Sequence, residues 1–267
     1  MASTNVRSLI IDLTPPVLLR LAQSLRRRAR GIGFHAFVPG RNPSTADVGE
    51  GYDDDKYAGL IVTNQLRARK SESNDDRSWY LVLPVVVSQF FDKPLTVLDF
   101  GGGAATGLFC ILDQVTGLDL AKLSYVLVET PAMCRAVRDR LVPVLPPLPV
   151  KIVEDIPTSL ASPLIVNIGG SIQYISAYRE ALARLAGLSP QLIIISQTPM
   201  TEGPTSTWQQ FHPYKKIEAR IFNRSEFIAE MRSLGYACIF MVSHSAPITE
   251  KNGPAFRTNM IFRLDSN

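Results

Sequence analysis

A short glycine-rich stretch, preceded by one acid and followed later by another, has the residue types and spacing that could do chemistry. Asp99 ends an apolar run, and Gly101, Gly102 and Gly103 follow it closely. Glycines between a strand and a helix let a ligand approach the backbone, and the first turn of the helix offers free amide N–H groups. Glu129 closes the next apolar run, where a carboxylate can accept hydrogen bonds from both hydroxyls of a ribose. The pattern predicts a site for an adenosyl ligand.

Two features separate this turn from the dinucleotide-binding turn of oxidoreductases. The motif G-x-G-x-x-G of those enzymes has a third glycine for close packing of helix on strand, and here Thr106 stands at that place. Asp99 occupies a position that the oxidoreductases keep apolar, where a carboxylate can hold the loop amides and face a cationic amino group. An adenosyl amino acid therefore fits better than a dinucleotide. A tight turn with two unrelated acids is the alternative without a ligand.

The elements that must position this turn alternate between strand and helix. Five short apolar runs are predicted strands: residues 95–100, 125–128, 150–153, 164–168 and 192–196. Their continuous apolar character indicates a parallel sheet covered by helices on both faces. Residues 197–221 are predicted to form a loop, and 236–242 with 256–264 a closing antiparallel hairpin. We therefore expect an α/β fold with a Rossmann-like, doubly wound sheet of seven strands, mostly parallel, with the last strand antiparallel.

Residues 1–92 are predicted to form a helical and loop-rich lobe beside a domain at residues 93–267. Helices are expected after Thr14, around residues 60–69 and over residues 79–91, with polar segments between them. The first helix carries the arginines Arg20, Arg26, Arg27, Arg28 and Arg30. They could attract phosphates, an acidic glycan or an anionic membrane face, which makes peripheral membrane contact one expectation, or they could simply stabilise the negative end of a solvated helix.

Length and composition exclude several classes of protein. The chain has 267 residues, 46% hydrophobic and 19% charged, which fits a globular protein with its own core and neither a disordered nor a fibrous one. No apolar run is long enough to cross a membrane and no secretory signal is evident, so we expect a cytoplasmic protein. The net charge of +4 gives no indication of nucleic acid binding. Three distant cysteines predict neither a disulfide framework nor a metal site.

Several motifs taken together resemble a known family. The stretch VLDFGGG, followed by Glu129, resembles class I S-adenosylmethionine-dependent methyltransferases. Residues 51–263 resemble a bacterial family of methyltransferase-like proteins with a DFGG loop and an SLQY-like motif. The matching motifs here are Gly51-Tyr52-Asp53, Asp99 to Gly102, Ser171-Ile172-Gln173-Tyr174 and Thr198-Pro199. The resemblance implies S-adenosylmethionine as cofactor and a cytoplasmic enzyme, in a family often associated with the modification of surface polysaccharides or other glycans.

The resemblance also implies a cofactor-binding role for each matched position. These residues are Asp99, Gly101, Gly102 and Gly103 at the methionine part, Glu129 at the ribose, Asp155 at the adenine amino group, and Ile168, Gly169 and Gly170 at the sulfonium. For the adenine contact, Glu154 is an alternative to Asp155, and an exposed acid without a function is a further one. The acceptor would be faced by Gln173 and Tyr174. Tyr52, with Tyr57, could close over the methionine end, although packing explains these tyrosines equally well.

Methyl transfer to a hydroxyl group requires that its proton be taken up, and a histidine is suited to that task. His212, in the stretch WQQFHPY after the fifth strand, is the candidate base, and His35 and His244 are weaker candidates. The sequence thus predicts an S-adenosylmethionine-dependent O-methylation of a small molecule or glycan. Two alternatives are a non-catalytic interaction protein of the same fold and another nucleotide-dependent enzyme.

Overall fold

Strands and helices alternate in the computed structural model, which describes residues 35–39, 52–70, 81–90, 93–211, 216–244, 248 and 254–265. The strands are β1 (His35–Pro39), β2 (Leu95–Phe100), β3 (Leu123–Val128), β4 (Val150–Val153), β5 (Leu164–Gly169), β6 (Leu192–Thr201), β7 (Ser206–Phe211), β8 (Lys216–Asn223), β9 (Tyr236–Ser243) and β10 (Ala255–Leu264). The helices are α1 (Asp55–Lys70), α2 (Val82–Val87), α3 (Thr106–Gln114), α4 (Pro131–Arg140), α5 (Tyr178–Gly187) and α6 (Arg224–Ser233). A 3-10 helix, Ile172–Tyr174, follows β5.

Seven of the ten strands form the central sheet in the order β4-β3-β2-β5-β6-β10-β9. β2 lies between β3 and β5 and is parallel to both, with Val97 opposite Tyr125 on one side and Ile165 on the other. β10 is antiparallel to β6 and to β9. The predicted doubly wound, mostly parallel sheet with an antiparallel last strand is confirmed. Because parallel strands end at one edge, the residues that follow β2, β3 and β5 meet there.

Helices cover both faces of this sheet. Successive residues of β2 point to opposite faces, and Val97 and Leu98 are both fully buried. On the face of Val97, α1 and α3 contribute Val62 and Phe109 to one apolar cluster. On the face of Leu98, α5 contributes Leu182 to the other. The described helices α1 and α2 share the first cluster with the sheet, and the boundary near residue 92 stays a prediction.

The prediction of a loop over residues 197–221 is wrong. β6 runs on to Thr201, and β7 and β8 form an antiparallel pair in which Trp208 lies opposite Ala219. The sequence KIEARI alternates polar and apolar residues, as a strand with one buried face does, and Ile217 and Ile221 are buried with Ala219. The sequence of β7, STWQQF, is mostly polar, so it does not stand out as a strand.

A further strand lies where only helices and loops were predicted. β1 pairs antiparallel with β7, with Pro39 opposite Trp208. Pairing with a distant part of the chain stabilises this short strand, so its own polar surroundings give little sign of it. The predicted arginine-rich helix, and with it the predicted membrane contact, lies outside the described residues. None of the helices in the described part of the chain has the length and apolar character needed to cross a membrane.

Candidate functional site

The glycine loop joins β2 to α3 and turns through left-handed backbone conformations. The φ angles are 64° at Gly101, 57° at Gly103 and 53° at Ala105. A Cβ atom at Gly101 would overlap the side chain of Ser171, so this glycine is packed tightly against that residue. A Cβ atom at Gly103 would have nothing within 4 Å. The loop thus has a packed side and an open side, and Gly103 faces the open one.

Asp99 lies beneath the loop and is only 1% exposed. Its Oδ1 accepts a hydrogen bond of 2.7 Å from Asn167 Nδ2, and its Oδ2 accepts one from the hydroxyl of Tyr125. A Cβ atom at Gly102 would overlap the same carboxylate. Burial raises the pKa of the Asp99 carboxyl, and the two hydrogen bonds act in the opposite direction. Both donors lie in the neighbouring strands β3 and β5, so the carboxylate supports the loop by packing against Gly102 and not, as predicted, by accepting from the loop amides.

Glu129 follows β3 and reaches the open side of the loop. Its Oε1 accepts a hydrogen bond of 2.8 Å from the amide of Gly103, and its Oε2 accepts one of 2.8 Å from the amide of Thr130. Burial raises the pKa of the Glu129 carboxyl, these two hydrogen bonds lower it, and the nearby Asp99 raises it further. The two acids predicted to lie on either side of the glycine turn are thus on the same edge of the sheet.

The acids after β4 lie at the surface. The side chain of Asp155 is 74% exposed and forms an ion pair of 2.9 Å with Arg184, while its Oδ1 accepts from the amide of Ile156 at 2.8 Å. The hydrogen bond from Arg184 lowers the pKa of Asp155. The Oε1 of Glu154 lies 3.6 Å from the Nη1 of Arg138. Both candidates for the adenine contact stand at the end of β4, and each already has a basic partner.

The end of β5 presents backbone to the same edge. The side chain of Ile168 is fully buried in the core, so only its backbone is available there. Gly169 and Gly170 are half-buried, and Gly170 has a φ of 72°. Gln173 is 1% exposed, and its Nε2 donates a hydrogen bond of 2.7 Å to the carbonyl of Gly170. The side-chain amide of Gln173 therefore stabilises the turn that follows β5.

Three tyrosines meet beside this edge. The ring centroid of Tyr52 lies 4.9 Å from that of Tyr174 and 5.4 Å from that of Tyr57. Tyr174 also packs with Ile217 and Ala219, so strand β8 packs against the cluster. The structure thus brings Tyr52, from the N-terminal region, against the residues that follow β5.

The segment that carries Tyr52 is fastened to α4. Asp53 Oδ1 accepts a hydrogen bond of 2.8 Å from the amide of Ala132, in the first turn of that helix. Two residues later, Asp55 forms an ion pair of 2.8 Å with Arg135. Asp53 belongs to the GYD motif, and this anchor gives the motif a physical role, because it places Tyr52 beside the helix that follows Glu129.

The candidate base His212 lies outside the described residues, and only the backbone of His35, in β1, is described. His244 follows β9 at the carboxyl edge, with its Nε2 3.1 Å from Gln197 Nε2. Burial lowers the pKa of His244, and the charge of Arg257 acts in the same direction. Gln197 has a φ of 57°, a strained conformation for a residue with a side chain.

Buried polar atoms without a partner lie near the same edge and in the hairpin of β7 and β8. In the described part of the chain these atoms are Gln65 Nε2, Thr130 Oγ1, Gln173 Oε1 and Glu218 Oε2. The other amide atom of Gln65, Oε1, accepts a hydrogen bond of 3.3 Å from Thr106 at the start of α3, and Thr130 follows Glu129 directly. A buried polar atom without a partner costs about 1–3 kcal/mol. The site is therefore suited to a polar ligand.

Three supporting residues were missed by the sequence analysis. Tyr125 and Asn167 hold the Asp99 carboxylate, and Ser171 Oγ donates a hydrogen bond of 2.7 Å to the carbonyl of Phe100 beneath the loop. Asn167 could have been noticed from the sequence, since it is the one polar residue in the otherwise apolar run LIVNI. Ser171 was part of the matched motif Ser171-Ile172-Gln173-Tyr174 but had no role assigned to it, and Tyr125 gave no signal, because its partner Asp99 lies far away in sequence.

No protein-family profile matches the sequence, and no curated protein matches it. Among solved structures, an S-adenosylmethionine-dependent methyltransferase from Clostridium acetobutylicum ATCC 824 has a TM-score of 0.50 and 10% identity, with 79% of this chain and 99% of that chain covered. The CurJ carbon methyltransferase has a TM-score of 0.50 and 10% identity, with coverages of 79% and 60%. With the strand order, these two similarities show that the chain has the fold of class I methyltransferases.

A third solved structure extends over more of the chain. The 1,6-didemethyltoxoflavin-N1-methyltransferase of Burkholderia thailandensis is 17% identical, with a TM-score of 0.48, 86% of this chain and 95% of that chain covered. At these identities the similarities concern the fold, and activity has to be argued from the site itself.

Proposed function

We propose that this protein is an S-adenosylmethionine-dependent methyltransferase that acts on a small-molecule or glycan acceptor by O-methylation. The observation that carries the proposal is the contact of Glu129 with the amide of Gly103. It puts a half-buried carboxylate and an open glycine backbone side by side at the carboxyl edge of a class I methyltransferase sheet, where ligands bind in folds of this kind. The resemblance to a glycan-associated bacterial family supports the acceptor class.

The cofactor would be held mainly by groups at the open side of the loop. Glu129 would accept hydrogen bonds from the ribose hydroxyls, and the backbone of Gly101 and Gly103 would lie against the methionine part. Asp155 would contact the adenine amino group from the end of β4. Asp99 would act from beneath as a positioning residue, because both of its oxygens already accept from protein donors. When bound, S-adenosylmethionine supplies a methyl carbon activated by a sulfonium.

The chain itself would contribute alignment and exclusion of water. Methyl transfer is an in-line displacement, so the position of the acceptor relative to the methyl carbon decides the rate. The backbone of Ile168, Gly169 and Gly170 would border the sulfonium. Gln173 and Tyr174 would face the acceptor, beneath the hairpin of β7 and β8. An acceptor hydroxyl needs a base, for which we propose His212.

A pair of glycine variants tests where the cofactor lies. Gly103→Ala and Gly117→Ala introduce the same left-handed strain, at φ angles of 57° and 76°, and neither new Cβ atom meets anything within 4 Å. Each is expected to lower the free energy of unfolding by about 1–2 kcal/mol. Only Gly103→Ala should weaken S-adenosylhomocysteine binding, by tenfold or more (about 1.4 kcal/mol), measured by calorimetry. Equal affinities of the two variants would place the cofactor elsewhere.

Competition binding tests the proposed function against its alternatives. Titration of the purified protein with S-adenosylhomocysteine should give saturable heat and a higher melting temperature, because a ligand of the folded state stabilises it. NAD should neither bind nor compete. Binding of NAD alone would favour another nucleotide-dependent enzyme, and binding of neither would favour a non-catalytic protein. Once an acceptor is found, normal turnover by His212→Ala would remove the proposed base.

A further inference from the structure

The three tyrosines lie between the two stretches of chain that the proposed function assigns to the ribose and to the sulfonium. Tyr52 is tied to the first stretch, because the neighbouring Asp53 accepts from the amide of Ala132, three residues after Glu129. Its ring packs on that of Tyr174, which lies four residues after Gly170, with centroids 4.9 Å apart. With the cofactor placed as proposed, a ring held between these two stretches would border the space between the ribose and the methyl group.

The surroundings of this ring favour a positive charge. Burial raises the pKa of Tyr52 strongly, with smaller effects in the same direction from Tyr174, Tyr57 and Glu129, so its ring stays neutral at physiological pH. Aromatic faces attract cations through their quadrupole, and the attraction grows when water is excluded. Tyr57 and Tyr174 are 9% and 8% exposed, so the cluster is well shielded from solvent. The carboxylate of Glu129 adds a negative charge at its border.

We propose that Tyr52, supported by Tyr57 and Tyr174, recognises the sulfonium charge of S-adenosylmethionine and thereby makes the site prefer this cation to the neutral product S-adenosylhomocysteine. The inference rests on the proposed function. This preference gives the aromatic cluster a role in turnover, because weaker binding of the neutral thioether favours release of the product after each transfer.

Binding of the charged and the neutral ligand to two Tyr52 variants tests this role. Tyr52→Leu removes the aromatic face and should lower the affinity for S-adenosylmethionine by about three- to thirtyfold. Its affinity for S-adenosylhomocysteine should stay within about twofold of that of the wild type. Tyr52→Phe keeps the face and should bind both ligands normally. Both affinities are measured by calorimetry without any acceptor.

Tyr178→Leu is the matched control. Tyr178 is a half-buried tyrosine of α5 that packs on Phe222, with ring centroids 5.0 Å apart, in the apolar cluster on the other face of the sheet. The control should leave the ratio of the two affinities unchanged. If Tyr52→Leu fails to fold, as judged by thermal unfolding, Tyr174→Leu takes its place with the same expected ratio.

Each outcome has a definite meaning. If Tyr52→Leu lowers the affinity for both ligands equally, the cluster serves only in packing. That result would overturn the inference, while the proposed function would stand. A loss of preference in Tyr52→Phe would assign the effect to the hydroxyl group and also overturn it. If the wild type binds neither ligand, the proposed function fails first and the inference falls with it.

Discussion

Replacing Asp99 by Ala is expected to abolish S-adenosylhomocysteine binding. The carboxylate is fully enclosed and accepts from Tyr125 and Asn167, so its removal leaves two buried donors without a partner and a void beneath the loop. The free energy of unfolding should fall by about 2–5 kcal/mol, and the loop should lose the shape that presents Gly103. Calorimetry with S-adenosylhomocysteine and denaturant unfolding measure the two effects.

A milder variant separates loss of the loop from loss of the whole fold. Asp99→Asn can accept from Asn167 and donate to the oxygen of Tyr125, so it should fold and bind with reduced affinity. Asp139→Ala, at an exposed acid of α4, is the control and should change neither stability nor binding. Wild-type affinity in Asp99→Ala would show that the loop does not depend on this carboxylate.

Replacing Glu129 by Ala should lower the affinity for S-adenosylhomocysteine by about thirty- to a thousandfold while the protein stays folded. The loss includes hydrogen bonds from two ribose hydroxyls to a charged acceptor, which contribute about 2–4 kcal/mol together. The amide of Gly103 loses its partner too, but it lies on the open side of the loop, where water can replace it. Glu180→Gln, at an exposed acid of α5, is the control.

The same carboxylate predicts how binding depends on pH. Burial raises the pKa of Glu129 above its ordinary value of 4.5, so protonation begins at a higher pH than for an exposed glutamate. The protonated form has lost an acceptor, and the affinity should therefore fall as the pH drops through the raised pKa and stay constant above it. Glu129→Gln should bind more weakly, without this dependence. An identical acid decline in the variant would assign the titration to another group.

The sequence was most informative where a segment is buried on both faces. The runs LTVLDF and LIVNIG are mostly apolar because helices cover both sides of β2 and β5, and such runs stand out without any knowledge of their partners. The hairpin of β7 and β8 is different, since β8 buries only one face and β7 has a mostly polar sequence. β1 was missed for another reason, because its partner β7 lies more than a hundred residues away in the chain.

Within the site, the sequence identified positions better than contacts. A strand followed by glycines predicts the loop and its edge of the sheet, and Glu129 does reach Gly103 there. That Asp99 would face Tyr125 and Asn167 could not be predicted, because the contact depends on the register of three parallel strands. For Asp155 the sequence left an exposed acid open as an alternative, but the ion pair with Arg184 could not be predicted, since α5 brings that arginine from a distant part of the chain.

In the proposed function, Glu129 and the open side of the glycine loop together hold an adenosyl amino acid. A crystal structure of the protein with S-adenosylhomocysteine tests it most directly. We expect both ribose hydroxyls within hydrogen-bond distance of the Glu129 carboxylate and the methionine part against Gly103. A nucleoside bound away from Glu129, or a cleft that the protein's own side chains fill in the presence of saturating ligand, would contradict it.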